Sequence, residues 1–163
     1  MKVAVIMGSD SDYPILKPLI KTLDEFGVES EILVASAHRT PEKVHIFANS
    51  AKQRGIKVII AAAGAAAHLA GFIASCTTLP VIGIPIKNSA LNGMDSLLST
   101  VQMPAGIPVA TMAIDGAKNA ALFAIEILAL SNNDLSDKLV FYRDNLKVEV
   151  EQKNLKLQQK LNE

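Results

Sequence analysis

A three-layer αβα domain on a doubly wound parallel sheet is the fold class this chain predicts. Three features point to it: short β-branched runs recur along the chain, segments with helical spacing separate them, and the runs are nearly continuous in Val, Ile and Ala rather than alternating. Strands that read this way are buried on both faces, so helices must cover both sides of the sheet. A chain of 163 residues, half of them apolar, buries roughly 70% of the surface its unfolded form exposes and needs no staples.

Taken in order, Lys2 to Met7 is the first strand. Leu16, Leu19, Ile20, Leu23 and Phe26 then share one face of a helix starting near Asp12 and ending at Gly27. Glu31 to Ala35 is the second strand. Thr40 caps the next helix, Pro41 takes its first position, and Val44, Phe47, Ala48 and Ala51 form its apolar face before Gly55. Lys57 to Ala63 is the third strand, with a helix starting near Ala66. Val81 to Ile86 and Pro108 to Ala113 are the fourth and fifth strands, followed by helices over Gly93 to Gln102 and Gly116 to Leu130.

The last of these helices is apolar on most sides, from Ala120 and Leu122 to Phe123, Ile127 and Leu128, and so needs cover on two sides, in a core or at a subunit contact. A homo-oligomer is expected. Five β-α units fit the flavodoxin-like variety of the fold, which places ligands at the carboxyl ends of the strands. Residues 1–133 are read as one α/β domain. After Ser131-Asn132-Asn133-Asp134 the composition shifts, and residues 134–163 become a charged helix that packs on the domain or on a neighbouring subunit.

Sixteen basic side chains balance sixteen acidic ones, so there is no bulk field to draw a nucleic acid or an anionic membrane. The longest apolar run, Val58 to Ala67, is about half of what a bilayer crossing requires. Cys76 is the single cysteine, and no signal-peptide pattern precedes the first strand, so a cytoplasmic location is expected. His38, His45, His68 and Cys76 show no metal-ligand spacing, and no metal is assigned; His45 reads as a surface residue. Glycine-rich nucleotide fingerprints and the nucleophile elbow are missing as well. A phospho-receiver domain would need an aspartate where the third strand ends in Ala61-Ala62-Ala63. A flavin-binding electron carrier is the non-enzymatic alternative, disfavoured because the chain has no Trp and only two Tyr.

Three strand ends carry the chemistry. Gly8-Ser9-Asp10-Ser11-Asp12 leads into the first helix, where free N-H groups and two hydroxyls suit a phosphate, or simply cap a turn. Asp12 would repel a phosphate and is better placed to accept hydrogen bonds from ribose hydroxyls. Ser36-Ala37-His38-Arg39-Thr40-Pro41 ends the second strand, offering an arginine that can grip a phosphate in two-pronged fashion and an imidazole that gives and takes protons at neutral pH. In Ala61-Ala62-Ala63-Gly64-Ala65-Ala66-Ala67-His68-Leu69, the lack of side-chain volume lets a flat ligand lie against bare backbone, with His68 in the first turn of a helix that favours a neutral ring. Gly8, Ala63, Gly64, His68 and Leu69 are therefore expected to line the site. Asn88 to Gln102, with Ser89, Ser96 and Ser99, is expected to cover it.

These motifs, together with Ala67-His68-Leu69 plus Gly71 and Asp95-Ser96-Leu97 followed by Val101-Gln102-Met103-Pro104, resemble one family over nearly the whole chain to about Leu130. It is that of the N5-carboxyaminoimidazole ribonucleotide mutases, the catalytic subunits of phosphoribosylaminoimidazole carboxylase in de novo purine biosynthesis. The resemblance implies a cofactor-free shift of a carboxylate from the exocyclic nitrogen of an imidazole ribonucleotide to ring carbon four. It also implies a homo-octamer with sites near subunit contacts. By motif, Ser9, Asp12 and Arg39 would bind substrate, Ser11 and Ser36 would help at the phosphate and ribose, and His38 would be the acid/base. Ala62 and Ala65 stand where the family usually has Gly, and Ala70 where it often has Pro. A related class carboxylates the aminoimidazole ribonucleotide directly with carbon dioxide; it tends to have Lys where this chain has Arg39 and lacks the Ala-His-Leu segment.

Overall fold

The computed structural model describes residues 1–87 and 91–162. Five parallel strands form one sheet in the order β2-β1-β3-β4-β5: β1 Lys2–Met7, β2 Glu29–Val34, β3 Ile56–Gly64, β4 Val81–Ile86 and β5 Ala110–Thr111. Helices α1 (Tyr13–Glu25) and α5 (Ala117–Ala129) cover one face. On the other lie α2 (Pro41–Ala51), α3 (Leu69–Ser75) and α4 (Met94–Val101). The three-layer, flavodoxin-like arrangement is therefore present.

Alternation along the strands divides the core in two. Val3, Val5, Met7, Val58 and Ile60 point to α1 and α5, whereas Ala4, Ile6, Ile59 and Ala61 point to α2 and α3. Small residues on the second face let those helices approach closely. At Gly83, a Cβ would collide with the Thr100 methyl of α4 and stand 3.2 Å from Ala70 Cβ.

Several boundaries differ from expectation for local reasons. β2 begins at Glu29, whose N–H donates to Met1 O at 3.1 Å, and as an edge strand it is not covered on both faces: Ile32 and Val34 are each 44% exposed. β5 shrinks from the expected Pro108 to Ala113 to two residues. Its partner β4 offers no N–H at Pro85, and Asp115 N caps the Pro85 carbonyl instead at 2.9 Å. A 3-10 turn, Asp10–Asp12, precedes α1. Thr40 does not cap α2; its hydroxyl turns back to Ser36, accepting from Ser36 N at 3.0 Å and donating to Ser36 O at 3.1 Å.

A charge cluster ties the amino ends of β1 and β2 to the turn before β3. Lys2 Nζ lies 2.8 Å from Glu31 Oε2, and Arg54 Nε lies 3.3 Å from Glu31 Oε1 while its guanidinium stacks on Phe47. The Lys2 ammonium, aided by Arg54, holds the Glu31 carboxyl below its ordinary value although burial opposes this. A depressed carboxylate stabilises the fold above its unfolded-state value and loses that contribution as pH falls through the folded one. Glu31→Gln is expected to lower stability by about 1 kcal/mol or less at neutral pH, and the difference should vanish in acid when denaturant titrations are compared.

The last helix, α6 (Asn133–Leu161), starts at Asn132, whose side-chain oxygen accepts from Leu135 N at 3.0 Å. Leu135, Leu139 and Tyr142 pack against the α1–α5 core, and Arg143 pairs with Glu126 at 2.6 Å. Beyond them Val148, Val150, Leu155, Leu157 and Leu161 are all exposed.

Candidate active site

The ends of β1, β2 and β3 meet around a crevice of about 270 Å³ at the point where the strand order reverses. Gly8, Ser9 and Asp12 come from the first loop, Ser36, Ala37, His38 and Arg39 from the second, and Ala63, Gly64, Ala66, His68 and Leu69 from the third. Of the site residues expected from sequence, all but Ser11 line it. Ser11 stands behind, its hydroxyl donating to Ser9 Oγ at 2.9 Å.

The first loop is closed by its own side chains. Ser9 Oγ accepts from Ser11 N at 3.3 Å, and Ser9 N donates to Asp12 Oδ2 at 3.2 Å, a reciprocal cap. Asp12 is only 3% exposed. Burial pushes its carboxyl above the ordinary value, Asp10 adds to the rise, and the bonds from Ser9 and Ser11 pull it back. The result is an acceptor kept out of bulk water at the crevice wall.

In the second loop Thr40 N donates to Ser36 O at 2.8 Å and Arg39 N to Ser36 Oγ at 3.2 Å, so a tight turn aims His38 and Arg39. Arg39 reaches across to donate to Gly8 O at 3.1 Å. That lays a permanent positive charge at the end of β1, next in sequence to the loop that carries Ser9.

The third loop corrects two expectations. Ala61, Ala62 and Ala67 are buried in the fold, so the wall facing the crevice consists of Ala63, Gly64, Ala66 and Leu69. Helix α3 starts at Leu69 rather than near Ala66, because Ala65 adopts φ +54° and two tight turns follow, Ala67 N to Ala65 O and His68 N to Ala66 O. A left-handed alanine costs roughly 1–2 kcal/mol. Ala65→Gly relieves that cost but frees the unfolded chain, so a net gain of about 0.5–1 kcal/mol is expected in a denaturant titration.

His38 and His68 meet across the crevice, Nε2 to Nδ1 at 2.9 Å, with their rings perpendicular. Such a bond needs one donor and one acceptor nitrogen, so it holds one proton and is lost if both rings are fully protonated. Sequence reading placed both residues at the site but not in contact. The segment expected as a cover behaves otherwise. No described residue from 91 to 102 lines the crevice, Ser96 is buried and donates to Ile86 O at 3.0 Å, and Ser99 donates to Asp95 O at 2.7 Å; Asn88 and Ser89 lie outside the described residues.

Comparison with known proteins gives a consistent result. The AIR carboxylase family model matches residues 2–149. The chain is 60% identical over 146 residues to the N5-carboxyaminoimidazole ribonucleotide mutase of Pyrococcus abyssi, covering 90% of this chain and 84% of that one. It is 52% identical over 158 residues to the Thermotoga maritima enzyme of the same name, covering 97% and 92%. Among solved structures, that of Treponema denticola PurE superposes with a TM-score of 0.85 at 29% identity, covering 96% of this chain and 98% of the other. A chain so alike in sequence, fold and extent belongs to the AIR carboxylase family and, within it, to the N5-carboxyaminoimidazole ribonucleotide mutases.

Proposed function

We propose that this chain converts N5-carboxyaminoimidazole ribonucleotide to 4-carboxy-5-aminoimidazole ribonucleotide, with the crevice at the ends of β1, β2 and β3 as its active site. The observation that carries the site assignment is the His38–His68 pair standing at the mouth of a three-loop crevice that also holds Ser9, Asp12 and Arg39. Arg39 and Ser9 supply the donors for the phosphate, helped by Ser36 and by Ser11, which stands behind Ser9 and holds its hydroxyl in place. Asp12, an acceptor already desolvated, takes the ribose hydroxyls. The bare stretch of Ala63, Gly64 and Ala66 leaves room for the flat imidazole.

The rearrangement balances without a cofactor. The carboxylate leaves nitrogen as carbon dioxide while His38 gives that nitrogen a proton. Carbon four then attacks the carbon dioxide and loses its own proton to His38. His68, through its bond to His38 Nε2, orients the ring for both transfers. Leu69 and the alanine wall keep water out and carbon dioxide close.

A homo-oligomer, an octamer by family likeness, is the assembly we propose, with α6 packing on its own domain of residues 1–133 through Leu135, Leu139 and Tyr142 and its far half reaching a neighbouring subunit. The exposed apolar residues of the far half of α6 support this reading. No described helix is long and apolar enough to cross a membrane. A cytoplasmic enzyme acting on a small ribonucleotide, with neither nucleic acid nor membrane as partner, fits the balanced charge.

The test offers purified protein either the N5-carboxylated ribonucleotide or the uncarboxylated one with bicarbonate, both without ATP, and follows the carbon-four carboxylate. Fast product from the carbamate alone is the expected result. Efficient product only from the uncarboxylated substrate would make the chain a direct carboxylase instead.

A further inference from the structure

Thr40 stands where sequence predicts the cap of α2, yet its hydroxyl serves the loop before it. Its backbone lies at φ −139° and ψ 52°, short of the extended ψ of a capping residue, and its side chain gives α2 no bond. The hydroxyl instead accepts from Ser36 N at 3.0 Å and donates to Ser36 O at 3.1 Å. Thr40 N donates to the same carbonyl at 2.8 Å. Three bonds therefore join residue 40 to residue 36, and the residues between them, Ala37, His38 and Arg39, all line the crevice.

Two side chains reach out from that closed turn. His38 Nε2 meets His68 Nδ1 at 2.9 Å, and Arg39 donates to Gly8 O at 3.1 Å. Each contact crosses to another strand end, so a shift at the root of the turn is felt at its tips. His38, Arg39 and Thr40 are exposed, which leaves hydrogen bonds rather than packing to hold the turn. One backbone bond would let the loop hinge about it, and the two hydroxyl bonds to Ser36 remove that hinge. Threonine hydroxyls choose between capping a helix and bonding nearby backbone. A local preference given up in this way, next to a crevice, marks a position held for function.

From this geometry we propose that Thr40 is a positioning residue of the site: its hydroxyl fixes the turn that aims His38 for proton transfer and Arg39 for the phosphate. Thr40 lies outside the crevice lining and acts through the two residues before it. The assignment rests on the reading of the crevice as the mutase site. Misplacing a reacting group by about 1 Å costs on the order of a hundredfold in rate, so a small rotation of the turn reaches turnover. The role needs a group that both donates and accepts, which serine retains and valine, of threonine's shape, lacks.

Thr40→Val keeps the backbone bond to Ser36 and removes both hydroxyl bonds, whereas Thr40→Ser keeps all three. Thr40→Val is expected to lower kcat about tenfold to a hundredfold and to raise KM less, with Thr40→Ser within about twofold of wild type. The second readout is nitrogen NMR of the imidazoles in a His45→Gln background, which leaves only His38 and His68. In wild type and Thr40→Ser the pair should show one bonded donor and one bonded acceptor nitrogen. In Thr40→Val both rings should give the averaged signals of free imidazoles. Thr40→Ala is the second variant without the hydroxyl, should Thr40→Val not fold. Ring signals or kcat unchanged from wild type in either variant would overturn the proposal; a role confined to stabilising α2 predicts that result with a lowered melting temperature. An inactive wild type would end the mutase reading instead, and the ring signals would still decide what Thr40 holds in place.

Discussion

Replacing His38 by Asn is expected to lower turnover by about a thousandfold while ribonucleotide binding stays measurable. The reasoning starts from proton balance. Both chemical steps of the proposed rearrangement move a proton, one to the exocyclic nitrogen and one from carbon four, and His38 serves both. Asn ends level with the near edge of the ring and falls short of the Nε2 contact with His68, but it is smaller than the imidazole and leaves Ser9, Asp12 and Arg39 in place to bind the ribonucleotide. What disappears is the capacity to exchange a proton, together with the Nε2 bond to His68. Calorimetry with the substrate and a single-turnover assay separate the two quantities; a variant turning over near the wild-type rate would remove His38 from the mechanism.

Asp12→Asn should move stability and affinity in opposite directions. The Asp12 carboxyl is raised by burial first, then by Asp10. A group raised in the folded state contributes fully below its unfolded-state value, and that contribution is lost as pH rises through the folded value. At neutral pH the ionised carboxylate is therefore a cost, and the neutral amide removes it. The variant should unfold at a higher temperature at neutral pH, with the difference shrinking as pH falls below the carboxylate range. The amide offers one acceptor where the carboxylate offered two, so affinity for the ribonucleotide should drop about tenfold to a hundredfold. An unchanged melting temperature together with unchanged affinity would end the case for Asp12.

Much of this arrangement is legible in the sequence because a strand end is easy to read. An apolar run that stops at Gly8, Ser36 or Gly64 announces a loop, and in a parallel sheet all such loops emerge on one edge. What is not legible depends on distances between loops and helices. The bond from His38 to His68 joins residues 30 apart, and that from His45 to Cys76 joins residues 31 apart. No periodicity reports either one. His45 reads from sequence as a surface residue, and it is exposed, but Cys76 at the end of α3 gives it a neighbour that spacing cannot show. The burial of Asp12 is hidden for a similar reason, since a polar residue at a helix start looks solvated until the adjoining strands close around it. The late start of α3 has its cause in a single dihedral angle, at Ala65.

That angle also bears on how the protein can change. Every alanine codon becomes a glycine codon by a single-base substitution, so the left-handed strain before α3 lies one mutational step from relief. A randomly mutagenised library selected for heat tolerance should recover Ala65→Gly early, ahead of gains that need two coordinated changes. Because the residue sits between Gly64 and Ala66, both at the crevice wall, the same selection would show whether a looser loop keeps pace in turnover or trades it for stability.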